Sequence, residues 1–205
     1  RGAGDKAFCA GGDIQKLYDG GPRSPITQDF FREEYRLNRR IHNYPKPYIA
    51  IMDGITMGGG VGLSVHAGTR IAADNTMFAM PETGIGLFPD VGGSWFLPRL
   101  PGEIGMYMAM TGARLRPADC VYAEICDAFM PSDRHDDFIA ELRAGADVDG
   151  ERVRFPKGML RELVKTAPAQ FTQHARNPAR NVEIGGNNTV FAPVYGPPFV
   201  TDLDR

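Results

Sequence analysis

The sequence predicts an α/β layered fold, and three observations carry that prediction. Residues 48–54 (YIAIMDG) form a short, nearly all-apolar run, the composition of a strand buried in a sheet. Residues 29–44 have helical spacing, and residues 58–68 (GGGVGLSVHAG) form an apolar stretch opened by three glycines. Strand-like and helix-like stretches alternate along the chain, as in layered α/β proteins.

In chain order, residues 5–14 (DKAFCAGGDI) predict the end of a strand, a turn at Gly11 and Gly12, and a helix running through Leu17 and Tyr18. Residues 20–28 predict a loop, from their Gly, Pro and Ser content. The helix predicted at 29–44 carries Phe30, Leu37 and Ile41 on one stripe, with Glu34 on the same stripe, and stops before Pro45 and Pro47. After the strand at 48–54 comes a loop and buried helix, then a second strand over 70–80 (RIAADNTMFAM). Residues 93–112 predict apolar helical pieces broken by Pro98 and Pro101, their methionines and aromatics read as core. Residues 116–130 predict a proline-led helix, ending in a short strand at 125–130. Beyond Leu142 the chain turns polar and basic, with one modest helix at 157–166 and two short strands around an Asn/Gly turn within 182–200.

Composition narrows the function. With 23 Lys and Arg against 25 Asp and Glu, the net charge of −2 gives no electrostatic ground for binding nucleic acid or an anionic membrane. No apolar run approaches the roughly 20 residues of a membrane span. Three cysteines without a C-x-x-C pair indicate neither a disulfide framework nor structural zinc, and fit a reducing compartment. The first residues, RGAGDK, read as the interior of a longer chain, with no signal peptide expected.

The chemistry concentrates in residues 57–98. Gly58, Gly59 and Gly60 between a strand and a helix suit a backbone that approaches a ligand closely, and equally suit tight strand–helix packing. In the first case the free N–H groups of the helix start would bind a phosphate or an oxyanion. No lysine follows in the manner of a phosphate loop. Ala10, Gly11, Gly12 and Asp13 offer a second bare-backbone turn, in which Asp13 is either catalytic or a helix cap. Glu82 after Pro81 and Asp90 after Pro89 are candidate acid–base partners, since two carboxyl groups in one pocket push their pKa values apart. Asp90 serves equally well as a helix cap. Glu34, a charge on an apolar stripe, requires a polar site or an arginine. His66, within the apolar helix, reads as a hydrogen-bonded core histidine. The four histidines show no H-x-x-x-H spacing and no serine stands in a G-x-S-x-G elbow, so metal and serine-hydrolase chemistry lack support.

Three motifs in order, KAFCAGGDI, KPYIAIMDGITMGGGVGLS and MFAMPETGIGLFPDVGGSWFLPRL, resemble the crotonase (enoyl-CoA hydratase/isomerase) superfamily. MPET followed by FPDVGG resembles its 3-hydroxyisobutyryl-CoA hydrolase branch. The likeness covers about residues 1–142 and implies a spiral of ββα turns, incomplete at both ends, that holds an acyl-CoA thioester between two oxyanion-hole amides. By position these are Ala10 and Gly59, with Gly11, Gly12 and Asp13 contacting substrate beside them. Gly62 stands where hydratases carry their first catalytic Glu, which disfavours water addition to a double bond. Glu82 matches the retained catalytic Glu, Asp90 the acidic residue typical of the hydrolase, and Glu34 in FREEY a substrate-contacting Glu.

The implied reaction is hydrolysis of a short-chain acyl-CoA thioester, 3-hydroxyisobutyryl-CoA to 3-hydroxyisobutyrate and CoA in valine breakdown. Coenzyme A enters as part of the substrate, with no separate cofactor and no metal. The alternatives are a lyase or isomerase of the same superfamily, and a truncated hybrid without turnover. The expected partner is the acyl-CoA itself, with no nucleic acid and no membrane, in a homo-oligomer; the expected compartment is the cytoplasm, or the mitochondrion in a eukaryote. Residues 143–205 resemble a different family, the trimethylamine–corrinoid methyltransferases, on AGADVDGERVRFPKG, FTQHARNPARNVEIGG and VFAPVYGPPFVTDLD. Those enzymes are (β/α) barrels, of which only a short α/β fragment is expected here, not an independent domain, joined near Leu142.

Overall fold

The computed structural model describes residues 1–145 continuously, then the strands 147–149, 152–154, 170–173 and 182–185 with a few single positions between them. The helix expected at 157–166 and most of the strand pair expected within 182–200 lie outside the described residues. The chain forms two compact units, Arg1–Ala167 and Pro168–Arg205.

Local chemistry sets the first elements. Strand β1 (Ala7–Cys9) gives way to Gly11, whose φ of +104° is one that few residues with a side chain adopt. The Asp13 carboxylate accepts the Lys16 amide at 3.1 Å and caps α1 (Ile14–Gly20). Helix α2 spans Pro25–His42 and so starts before residue 29, inside the expected loop. Ser24 accepts the Ile26 amide at 3.2 Å and Pro25 takes the first helical position, a start signal that outweighs the loop-like composition.

Next come β2 (Ile49–Met52), β3 (Ile55–Met57), α3 (Gly59–Ser64), β4 (Thr69–Ala72) and β5 (Met77–Ala79). The single strand expected over 70–80 is thus two. The Thr76 hydroxyl accepts the Ala73 amide at 2.7 Å and donates to the Met52 carbonyl, closing a turn that sends β4 and β5 into different sheets. Strand β3 escapes sequence reading because it is three residues long and enters from Gly54 at φ +85°. A 3-10 turn at Glu82–Ile85 leads to α4 (Gly93–Phe96), α5 (Ile104–Thr111), α6 (Pro117–Tyr122), β6 (Ala128–Phe129) and α7 (His135–Ala144). In residues 93–112 the core reading fails for most of these side chains: Phe96 and Met108 are buried, whereas Trp95, Met106 and Met110 are exposed and Tyr107 is half-buried. Two antiparallel pairs follow: β7 (Asp147–Asp149) with β8 (Arg152–Arg154) and, in the second unit, β9 (Gln170–Gln173) with β10 (Val182–Gly185).

All strands through β6 pair in parallel, in two sheets of order β1-β3-β5 and β2-β4-β6. Successive strands therefore alternate between sheets, and each circuit of the chain adds one strand to each, as the expected ββα spiral requires. Asp127 fastens β6 to β4, accepting the Arg70 backbone amide and the Arg70 guanidinium, each at 2.7 Å. Ile51 and Ile71, paired in register, form a core with Met130 and with Phe138 and Leu142 of α7, which lie one helical turn apart.

A tight backbone approach brings α3 against β1. A Cβ on Gly60 would stand 1.9 Å from the Cys9 carbonyl oxygen. Gly60→Ala is therefore expected to force the helix off the strand and to cost on the order of 1–3 kcal/mol. Urea unfolding checks this, with a lower midpoint and an unchanged slope expected.

Candidate active site

The β1–α1 turn and the start of α3 lie face to face. A Cβ on Gly11 would meet the Gly59 nitrogen at 3.4 Å, and one on Gly60 would strike Cys9, so both turns need bare backbone. As the first residue of α3, Gly59 carries an amide with no acceptor inside its own helix. Two carboxyl groups flank this glycine pair. A Cβ on Gly59 would fall 2.3 Å from Glu34 Oε1, and one on Gly58 would fall 3.6 Å from Glu82 Oε1.

Each carboxyl group is placed by its own element. Glu34 projects from the inner face of α2, where it shares a stripe with buried Asn38 and Ile41. Leu37, expected on that stripe, is 45% exposed; the inner face turns toward the residue four beyond Glu34 rather than three. Glu82 opens the 3-10 turn after Pro81 and is 5% exposed, and neither carboxyl oxygen has a protein hydrogen bond. Asp90 does not cap a helix with its side chain: α4 is capped by Gly92, and Asp90 Oδ2 accepts the Tyr35 hydroxyl at 2.7 Å. Asp90 and Tyr35 wall a cleft of about 410 Å³, together with Asn38, His66, Val91 and Trp95.

Glu34 and Glu82 both feel the charge of Asp90. Burial, then the charges of Asp90 and Glu82, pushes Glu34 from an ordinary 4.5 up to about 7. Burial likewise raises Glu82, with the Asp90 charge adding to it. The Tyr35 phenol is raised by burial, by its hydrogen bond to Asp90 and by the nearby carboxylates. Such a group can hold a proton near neutral pH at one carboxyl while another stays ionised, the condition for acid–base work. Among the described residues no three His, Cys, Asp or Glu side chains gather as metal ligands.

The structure thus gathers Gly11, Gly59, Glu34, Glu82 and Asp90 in one region, with Gly12 packed on Phe30 and Asp13 spent on capping α1. Ala10 is exposed at the end of β1. Two residues escaped sequence reasoning. Asn38, 6% exposed, lies one helical turn from Glu34, and its position on the apolar stripe was a signal of the same kind. Its amide stands 2.7 Å from where a Cβ on Gly62 would be, which leaves no room there for a longer side chain. Tyr35 gave no signal, since only the fold brings it to Asp90.

A carboxyl group that is raised in the folded state stabilises the fold below its unfolded pKa and loses that contribution as pH climbs through the folded value. For Glu34 the window runs from about 4.5 to about 7. Compared with Glu34→Gln, the unaltered chain is expected to lose melting temperature steadily across that window, with the two curves parallel outside it. Thermal melts at half-unit pH intervals measure this.

A family model described as "Enoyl-CoA hydratase/isomerase" matches residues 1–184. The mitochondrial 3-hydroxyisobutyryl-CoA hydrolase of Xenopus tropicalis is 60% identical over 135 residues, 65% of this chain and 35% of the relative. The protein of that name in Homo sapiens is 53% identical over the same share of each. The chain thus spans about a third of the length of the curated relatives it matches. Among solved structures, an enoyl-CoA hydratase from Rhodobacter sphaeroides is 42% identical with a TM-score of 0.66, covering 79% of this chain and 50% of its own. A carnitinyl-CoA dehydratase from Mycobacterium thermoresistibile is 45% identical with a TM-score of 0.66, covering 69% and 42%. Over residues 1–184, most of its length, this chain belongs to the enoyl-CoA hydratase/isomerase family.

Proposed function

We propose that this chain carries the catalytic part of a hydrolase that splits a short acyl-CoA thioester, with 3-hydroxyisobutyryl-CoA or a close relative as substrate. The observation that carries the proposal is the placement of Glu82: a buried carboxyl group with no protein hydrogen bond, beside the glycine pair that opens α3 and within the electrostatic reach of Asp90. The 60% identity to a named 3-hydroxyisobutyryl-CoA hydrolase supports the substrate class.

In the proposed reaction, the amides of Ala10 and Gly59 receive the thioester carbonyl oxygen and stabilise the charge that grows on it. Gly11, Gly12 and Asp13 edge the site on the β1 side, and Glu34 contacts substrate from α2. Glu82 either attacks the carbonyl carbon, forming a mixed anhydride that water then hydrolyses to free the acid and the Glu82 carboxylate, or takes a proton from an attacking water, for which its raised pKa makes it the stronger base. The C–S bond breaks, the acyl carbon gains an oxygen, and the CoA sulfur leaves with a proton passed through Asp90, which also orients the small acyl group. Water is the only co-reactant, and CoA is a product rather than a cofactor. None of the proposed groups lies in residues 143–205. No helix among the described residues is long and apolar enough to cross a membrane, and the mitochondrial names of the vertebrate relatives support that compartment for a chain of eukaryotic source.

A lyase or isomerase is the second reading, favoured by the hydratase and dehydratase names of the solved structures. Against it stands Gly62, packed under the Asn38 amide, where the resemblance implies that hydratases carry their first Glu. A panel of CoA esters with thiol trapping separates the two, because only hydrolysis frees the thiol. Glu82→Gln is expected to lower thiol release by roughly 10²- to 10⁴-fold, the usual worth of a positioned base; undiminished release would remove Glu82 from the mechanism.

A further inference from the structure

Asp90 stands at the head of a strained turn. Val91, which follows it, is β-branched and 2% exposed, yet has a φ of +41°, a conformation such residues hold only when their surroundings impose it. Gly92 next to it has a φ of +91° and returns its backbone toward α4. What faces this turn is His66, two residues beyond the end of α3. Its Nε2 lies 2.8 Å from the Val91 carbonyl oxygen. A carbonyl only accepts, so the ring donates, and Nε2 carries the proton. The ring also abuts Gly92 so closely that a Cβ there would come within 2.6 Å of His66 Cε1. On its other side the ring meets His42 edge to face, with centroids 5.9 Å apart. His66 is therefore wedged between α2 and the turn, its only described hydrogen bond spent on the strained residue.

We propose that His66 is a positioning residue for Asp90: by donating to the Val91 carbonyl it locks the strained turn that presents the Asp90 carboxylate to Tyr35 and to the cleft. The carboxylate is then held at two points, by the Tyr35 hydroxyl at 2.7 Å in front and by the locked backbone behind. Burial keeps the ring below its ordinary pKa of 6.5, so the neutral donor tautomer persists across the neutral range. The catalytic consequence rests on the thioesterase reading above, whereas the clamp itself does not.

Three measurements on the full chain test this. In the unaltered protein, ¹⁵N-detected ring spectra should show the Nε2–H tautomer of His66; the Nδ1–H tautomer would overturn the proposal without any mutation. In His66→Leu, kcat for the hydrolysed CoA ester should fall roughly 10²-fold with little change in KM, the loss expected of a catalytic group displaced by about 1 Å. His66→Gln, which keeps an N–H donor, should recover most of that loss. On an Asp90→Asn background His66→Leu should cost almost nothing more, because the two act as one unit; multiplicative losses would mark His66 as merely structural and sink the proposal. The third readout needs no turnover. Carbon-13 titration of the Tyr35 phenol should drop toward its ordinary 10.0 in His66→Leu, as in Asp90→Asn. A responsive Tyr35 in a chain that hydrolyses no thioester keeps the clamp and discards the functional reading. An unmoved Tyr35 in folded His66→Leu discards the clamp whatever the activity. Should the leucine variant not fold, the tautomer and the glutamine variant's Tyr35 titration, expected unmoved, decide.

Discussion

The approach of two backbone turns is the constraint on which the remaining architecture depends. The Cys9 carbonyl sits where a Cβ of residue 60 would be, and Gly11 packs against the Gly59 nitrogen. With side chains at these places α3 would stand off from β1, and the amide at its start would no longer face the first turn. Glu34 and Glu82 would lose their footing as well, since both lie against the Cα positions of that glycine pair. Backbone approach thus comes first, and the placement of carboxyl groups follows from it.

The cost of this arrangement is electrostatic. Glu82 is buried with both oxygens unpaired, and no described lysine or arginine offsets it through an ion pair. A charge in that setting is expensive, and the response is the upward shift of Glu82 and Glu34 rather than neutralisation by a cation. Only Asp90 has a neutral donor aimed at it, from Tyr35. Apolar burial opposes this cost, for instance where α7 covers the β2-β4-β6 sheet with Phe138 and Leu142.

How much of this was legible in the sequence depends on the range of the interaction. The glycine triplet, the two proline-led carboxylates and the misplaced charge of Glu34 are local signals, and all of these residues meet in one region. Asn38 was legible by the same logic, as a polar residue one turn along the stripe. Other features were not local. The break between β4 and β5 hangs on Thr76 reaching Met52, and the partnership of Tyr35 with Asp90 spans 55 positions. The left-handed Val91 contradicts its own propensity, and nothing in the neighbouring residues announces it. The early start of α2 was a matter of weighing: Ser24 and Pro25 announce a helix, but glycine and proline nearby announced a loop more loudly.

The alternation of strands between two sheets has a further consequence. Within each of these two sheets a strand pairs only with the strands of the circuits before and after it, so the sheets grow like a short solenoid while the segments between strands reach across circuits. The site draws Glu34 from the segment before β2, the glycine pair from the segment between β3 and β4, and Glu82 with Asp90 from the segment after β5. Chemistry in such an architecture is modular along the chain. A change confined to the segment after β5 would alter Glu82 and Asp90 while leaving the glycine turns of the two earlier circuits in place.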